Sequence, residues 1–224
     1  MAVAPLNKFL TIAVPVAPGE QTVYTAPTGV SAIVLYAQVS NVAIGNTYPT
    51  VTFTHRRKST SQRTFGNTRN NRIIKNAEIP PNDSLVIIDG RLVLERTAIV
   101  TDSILIKGTQ SGIVAVSTCQ YTDTTGITTI VTVTPHNFNI GDEVTMSGLS
   151  FACAGGNYGI TTTIFPSPQQ SFTIDNIIGS VGTSKTFVTN AGISSGIPHT
   201  YVSGGLVGPL QMEFICSILE NSTT

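Results

Sequence analysis

Catalysis in this 224-residue chain would have to come from three histidines, three cysteines and twelve carboxylates. Their spacing serves none of the usual chemistries. His55, His136 and His199 stand in no Gly-x-Ser-x-Gly elbow, His-Glu-x-x-His helix or His-x-His cluster, so neither an acyl-transfer triad nor a zinc-bound water is signalled. His55 ends an alternating run beside Arg56, and His136 follows Pro135 ahead of Gly141-Asp142; both read as structural. Asp142 and Glu143 are adjacent, which on a strand sends them to opposite faces and suits neither a shared metal nor an acid/base pair. The Gly-rich stretch Gly155-Gly156-Asn157-Tyr158-Gly159 lacks the Lys-Ser/Thr of a phosphate-binding loop and the helix that would present backbone amides, so it reads as a turn. Cys119, Cys153 and Cys216 are odd in number and have no Cys-x-x-Cys spacing, which points to small buried hydrophobes in a reducing compartment. The expectation is a chain with no catalytic residues, no metal and no cofactor.

One stretch stands out chemically. Seven of the twelve basic side chains, Arg56, Arg57, Lys58, Arg63, Arg69, Arg72 and Lys75, fall within twenty positions that contain several Ser, Thr, Asn and Gln and no acidic residue. Read as a long basic polar loop, it could bind phosphate, dock on an acidic protein surface, or simply be solvated. Nucleic acid would call for stacking aromatics among the cations, and Phe65 alone is available. Arg is enriched at protein interfaces and forms bidentate pairs with carboxylates, so docking on another protein is the adopted reading.

The elements that must present this stretch are strands. Thr, Ile and Val make up 78 residues, with 20 Gly and 12 Pro, against six Glu and five Lys; that is a strand-and-turn composition. Charged residues are 11% of the chain and the formal net charge is zero, which excludes a disordered polyelectrolyte and any global pull toward nucleic acid or an anionic membrane. No apolar run reaches the roughly 18 residues of a spanning helix, and the first residues do not form a secretory signal. The sequence predicts strands over 10–16, 21–24, 31–39, 50–55, 103–107 and 113–120. It also predicts a two-residue hairpin turn at Asp89-Gly90 between the apolar runs 85–88 and 91–94, and a Pro80-Pro81-Asn82-Asp83 corner.

Beyond residue 121 the texture changes to short strands between Gly- and Asn-rich turns, over 128–134, 143–147, 159–165, 171–174 and 186–189. The expected inward pairs are Val131 with Val133, Val144 with Met146, and Phe172 with Ile174. Residues 1–110 carry eleven basic and six acidic side chains and residues 111–224 one basic and six acidic, so the two parts are distinct. The run 210–220 is too apolar to stand alone, and on a strand Met212, Phe214, Cys216 and Ile218 share one face. The expected fold is therefore all-β: an antiparallel β-sandwich of 1–121 plus 209–224, with a smaller β domain, 122–208, inserted before its last strand.

Several phrases carry a family resemblance. Ala4-Pro5-Leu6-Asn7-Lys8, the block from Val23-Tyr24-Thr25-Ala26-Pro27 to Val39-Ser40-Asn41, and Ile79-Pro80-Pro81-Asn82-Asp83 with Ile88-Asp89-Gly90-Arg91 resemble virion structural proteins of tailed bacteriophages, closest to those of marine cyanobacterial phages. Thr134-Pro135-His136-Asn137-Phe138 and Ile197-Pro198-His199-Thr200-Tyr201 are similar to phrases that recur in large phage tail and fibre proteins. The resemblance implies a non-enzymatic virion component assembled in the host cytoplasm, whose partners are other virion proteins and copies of itself. The recurring tail-type module directs the expectation to the tail, in the baseplate or fibre-attachment region; a capsid decoration protein is the alternative. A host-glycan-binding module, with Phe151, Tyr158 and Tyr201 as aromatic platforms, is a further one.

Overall fold

The structure is a computed structural model that describes residues 7–59, 67–153, 160–162, 165–167, 169–194 and 197–222. Every regular element among them is a strand, and the chain forms two compact units, each with its own core.

The first unit comprises residues 1–16, 20–109 and 211–224. Its strands are β1 (Asn7–Pro15), β2 (Gly19–Thr25), β3 (Val30–Asn41), β4 (Thr50–Ser59), β5 (Thr68–Glu78), β6 (Ser84–Glu95) and β7 (Val100–Thr109), and the last strand of the chain, Met212–Ser222, returns to it. That last strand pairs antiparallel with β1 on one side and β3 on the other, giving a four-stranded sheet whose other edge is β6. The second sheet runs β2, β7, β4, β5. Phe53 of β4 meets Phe214 with ring centroids 5.8 Å apart. Around that pair lie Val51, Ile104 and Ile106 from one sheet and Val34, Val39, Cys216 and Ile218 from the other, all fully buried. Inward residues of two sheets interdigitating in this way are a β-sandwich. Met212, Phe214, Cys216 and Ile218 share the buried face, as their alternation requires.

The second unit comprises residues 17–19 and 110–210. Its strands are β8 (Val114–Tyr121), β9 (Ile127–Thr132), β10 (Glu143–Ser147), β11 (Ser150–Cys153), β12 (Ile160–Thr162), β13 (Ser171–Ile178), β14 (Thr186–Asn190), β15 (His199–Ser203) and β16 (Leu206–Pro209); the returning strand Met212–Ser222 is therefore β17. Six of them close into an antiparallel barrel in the order β10, β13, β14, β9, β8, β16, and β12, β11 and β15 form a small sheet. β8, which the sequence reading assigns to the first module, is a stave of this barrel.

Three local expectations need correction. Asp89-Gly90 is no hairpin turn: β6 runs straight through it and both flanks pair with β3, Tyr36 opposite Asp89 and Val34 opposite Leu92. The extra residue on β6 is a bulge, and Gly90, at φ 153°, supplies the backbone conformation it needs. A long partner strand has outcompeted a local turn. Val133 is exposed, not inward, and β9 buries Thr128, Ile130 and Thr132 instead. The buried hydroxyls are satisfied: Thr128 donates to the Gly126 carbonyl, and Thr132 Oγ1 lies within hydrogen-bond reach of the Thr134 and Lys185 carbonyls. The stretch 56–75 is not a loop. Residues 56–59 and 68–75 lie on the paired antiparallel strands β4 and β5, and residues 60–66, with Arg63 and Phe65, lie outside the described residues.

Candidate functional site

The β4–β5 pairing sets Arg57 opposite Arg69, Arg56 opposite Asn70, Lys58 opposite Thr68 and Thr54 opposite Arg72. Alternation along β4 sends Val51, Phe53, His55 and Arg57 to the inner face and Thr52, Thr54, Arg56 and Lys58 to the outer one. Six of the seven cations singled out in the sequence lie on these two strands, Arg63 being outside the described residues, and they split into two groups with different tasks.

Arg57 closes the sandwich. Its guanidinium grips the fully buried carboxylate of Asp102 with two bonds, Nε to Oδ1 at 2.8 Å and Nη2 to Oδ2 at 2.7 Å. Oδ2 also accepts the Glu95 backbone N–H at 3.0 Å, so one carboxylate on β7 ties its own sheet to β6 of the other. His55 Nε2 lies 3.3 Å from Oδ1 without hydrogen-bond geometry, an electrostatic contact only. Burial alone would raise the Asp102 pKa, but the Arg57 bonds, the Glu95 N–H and the nearby positive charge hold it below the ordinary value. Arg57 is correspondingly pushed up, chiefly by its bonds to Asp102. A bidentate Arg–carboxylate pair with one partner fully buried is structural chemistry.

Arg56, on the outer face, is also engaged, donating to Glu20 at 2.6 Å and to Asn70 Oδ1 at 2.9 Å. Lys58, Arg69, Arg72 and Lys75 are exposed, and none of them has a carboxylate partner among the described residues. β5 is the edge of its sheet, so Arg69, Arg72 and Lys75 decorate a strand whose outward row of backbone N–H and C=O groups is open, with Lys58 beside them on β4. Like charges along an edge repel an identical strand and leave an acidic partner as the favourable one.

Between the edge and the middle of the sheet, the outer face holds a depression of about 270 Å³ lined by Glu20, Thr52, Thr54, Asn70, Arg72, Lys75, Asn76 and Lys107. Asn76, at φ 48°, bulges β5 there. Its backbone N–H donates to Thr52 Oγ1 at 3.0 Å, and the Thr52 hydroxyl donates back to Asn76 Oδ1 at 2.9 Å. That reciprocal pair fixes the bulge and turns Lys75 and Arg72 toward the same hollow.

The second unit brings together a pair that no spacing announced. Cys153 of β11 and His199 of β15, directly opposite in register, meet through Sγ and Nδ1, while His199 Nε2 lies 3.3 Å from Ser194 Oγ. Phe165 stacks on the imidazole at 4.0 Å and Tyr121 packs edge-on. Burial pushes the thiol pKa up and the imidazole pKa down, so both are held neutral, the opposite of an activated thiolate–imidazolium pair. Cys119 and Cys216 are buried and their thiols are pushed up to about 12. His136 is buried against Phe138 and Phe187. Phe151 is fully buried, which removes it as a glycan platform. Tyr201 packs on Phe151 and donates to the Gly204 carbonyl, and Tyr158 lies outside the described residues. Sequence separations of 46 for Cys153 and His199 and 45 for Arg57 and Asp102 explain why no local spacing announces either pair.

No protein-family model and no curated protein matches the chain. Among solved structures it is similar to the VP2 subviral particle of infectious bursal disease virus, at 8% identity and a TM-score of 0.28, over 97% of this chain and 41% of that one. The structure of the Gx strain of the same virus is matched at 9% identity and a TM-score of 0.28, over 98% and 42%. The chain thus spans about two-fifths of the length of either, and likeness this slight identifies neither family nor role.

Proposed function

We propose that this chain is a non-enzymatic structural protein of a virion, tail-associated in the baseplate or fibre-attachment region, that docks onto neighbouring virion proteins and copies of itself through the cationic β4–β5 hairpin. The observation that carries the docking role is the set Lys58, Arg69, Arg72 and Lys75: four exposed cations on one pair of strands, three of them on an open edge strand, without carboxylate partners among the described residues. Arg56 and Arg57 belong to the internal framework of that hairpin and hold it in shape. The resemblance of the sequence phrases to phage virion proteins supports the virion setting.

Charge distribution supports assembly between copies. The second unit has one basic residue, Lys185, against Asp123, Asp142, Glu143 and Asp175, while the first has eleven basic and eight acidic residues. A hairpin of one copy set against the second unit of another brings opposite charges together, whereas two β5 edges repel. Such a contact is heterologous and propagates into a ring or a stack. The test is incorporation of a Lys58→Ser, Arg69→Ser, Arg72→Ser, Lys75→Ser variant into particles. The expected result is strong loss of incorporation by a folded protein; normal incorporation at moderate salt overturns the docking role. Copy number separates tail from shell: a few to a few dozen copies per particle are expected, and hundreds contradict the tail assignment.

A further inference from the structure

The depression on the outer face of the β2-β7-β4-β5 sheet is more than part of a docking edge. Three cations from two strands surround it, Arg72 and Lys75 from β5 and Lys107 from β7. The single acid in its lining, Glu20, is occupied by Arg56 at 2.6 Å. Thr54 lines it while only 5% exposed, and its hydroxyl adds a short donor to the wall. Asn70 and Asn76 add amide groups, and the Thr52–Asn76 pair fixes one wall.

Neighbouring cations repel, and holding three of them around one hollow favours a counter-charge inside it. A single carboxylate would leave that charge unbalanced. A tetrahedral dianion presents several acceptor oxygens at once to ammonium, guanidinium and hydroxyl donors, which suits Arg72, Lys75, Lys107 and Thr54 together. We propose that this hollow is a binding site for a doubly charged oxyanion, a phosphate or sulfate group. The site lies within one unit, so the isolated chain suffices to bind and the proposal stands or falls apart from the docking role.

The test titrates the full chain with sodium sulfate and with inorganic phosphate at fixed ionic strength, read by amide chemical shifts of β4, β5 and β7. Saturable shifts centred on Thr54, Arg72 and Lys107 are expected. They should weaken roughly tenfold or more in Arg72→Gln, Lys107→Gln and change by less than about twofold in Lys58→Gln, whose cation lies outside the lining. Phosphate binding should strengthen from pH 6 to pH 8 as the dianion forms, while sulfate binding stays flat. A parallel arm with dextran sulfate separates sources: a large gain over sulfate that vanishes in the double variant assigns a polyanionic chain, and no gain assigns a discrete small anion. Shifts no greater than with chloride, or equal weakening by Lys58→Gln and by the double variant, overturn the site. Unchanged circular dichroism and melting of both variants exclude misfolding as the cause.

Discussion

Removing Arg57 should expose how the first unit's two sheets are tied. In Arg57→Ala the Asp102 carboxylate keeps the Glu95 N–H at 3.0 Å and the His55 contact at 3.3 Å but loses both guanidinium bonds. Breaking a buried ion pair by removing one partner costs about 3–5 kcal/mol. The Arg57 side chain is 42% exposed, so water reaches the vacated position and the expected cost at pH 7 falls to about 2–3 kcal/mol. At roughly 2–4 °C per kcal/mol, the melting of the first unit drops by about 4–12 °C. The sign of the pH dependence is distinctive. In the wild type the Asp102 pKa is depressed, so its stabilisation is complete above the ordinary carboxylate range and is lost as pH falls through the depressed value. Without Arg57, burial dominates and the pKa rises, so protonation relieves the variant at mildly acidic pH. The gap between the two proteins should therefore shrink to about 1 kcal/mol or less near pH 3. Asp102→Asn in the Arg57→Ala background should restore part of the loss at pH 7, because a neutral amide needs no cationic partner. Thermal unfolding at pH 3, 5 and 7 is the assay. A penalty independent of pH, or strict additivity of the two substitutions, would mean that Arg57 does not stabilise the fold by neutralising Asp102.

Other consequences are equally direct. Gly90→Ala should destabilise by about 1–3 kcal/mol, since φ 153° is a bulge conformation that L residues rarely adopt; a neutral effect in a denaturant titration would mean that β6 tolerates a regular pairing there. Gly108→Ala would set a methyl 2.7 Å from both Met212 Cε and Val16 Cγ1, and overpacking of the sandwich core should cost about 1–3 kcal/mol in the same assay. Cys153 should alkylate with iodoacetamide more slowly than free cysteine at pH 7, its rate rising with pH, because burial keeps thiol and imidazole neutral; a fast, pH-independent reaction would reveal a thiolate. Tyr24→Phe removes the hydroxyl that donates to Glu220 at 2.7 Å and should cost about 1 kcal/mol, seen as a small fall in melting temperature.

Strand-scale alternation made much of the fold legible. Met212, Phe214, Cys216 and Ile218 announced a buried face, and Val51 and Phe53 did the same for β4, because a period of two against a sandwich core leaves no other placement. Long-range competition was invisible. Asp89-Gly90 has hairpin chemistry, yet β3 offers pairing to both flanks, and that outweighs the turn. Threonines 128 and 132 took the buried positions of β9 over Val133 because nearby carbonyls satisfy their hydroxyls, which no local pattern reveals. The cationic run was visible as composition but not as geometry. Only the pairing of Arg57 with Asp102 and of Arg56 with Glu20 shows that two of its members serve the framework, leaving Lys58, Arg69, Arg72 and Lys75 free to face a partner.

In the proposed role the cationic hairpin docks on an acidic neighbour inside a virion. Reconstruction of the particle at side-chain resolution tests it most directly. Arg69, Arg72 and Lys75 of each copy are expected within hydrogen-bond distance of carboxylates or carbonyls of an adjoining chain. A particle in which β5 faces solvent in every copy, or from which the chain is absent, contradicts it.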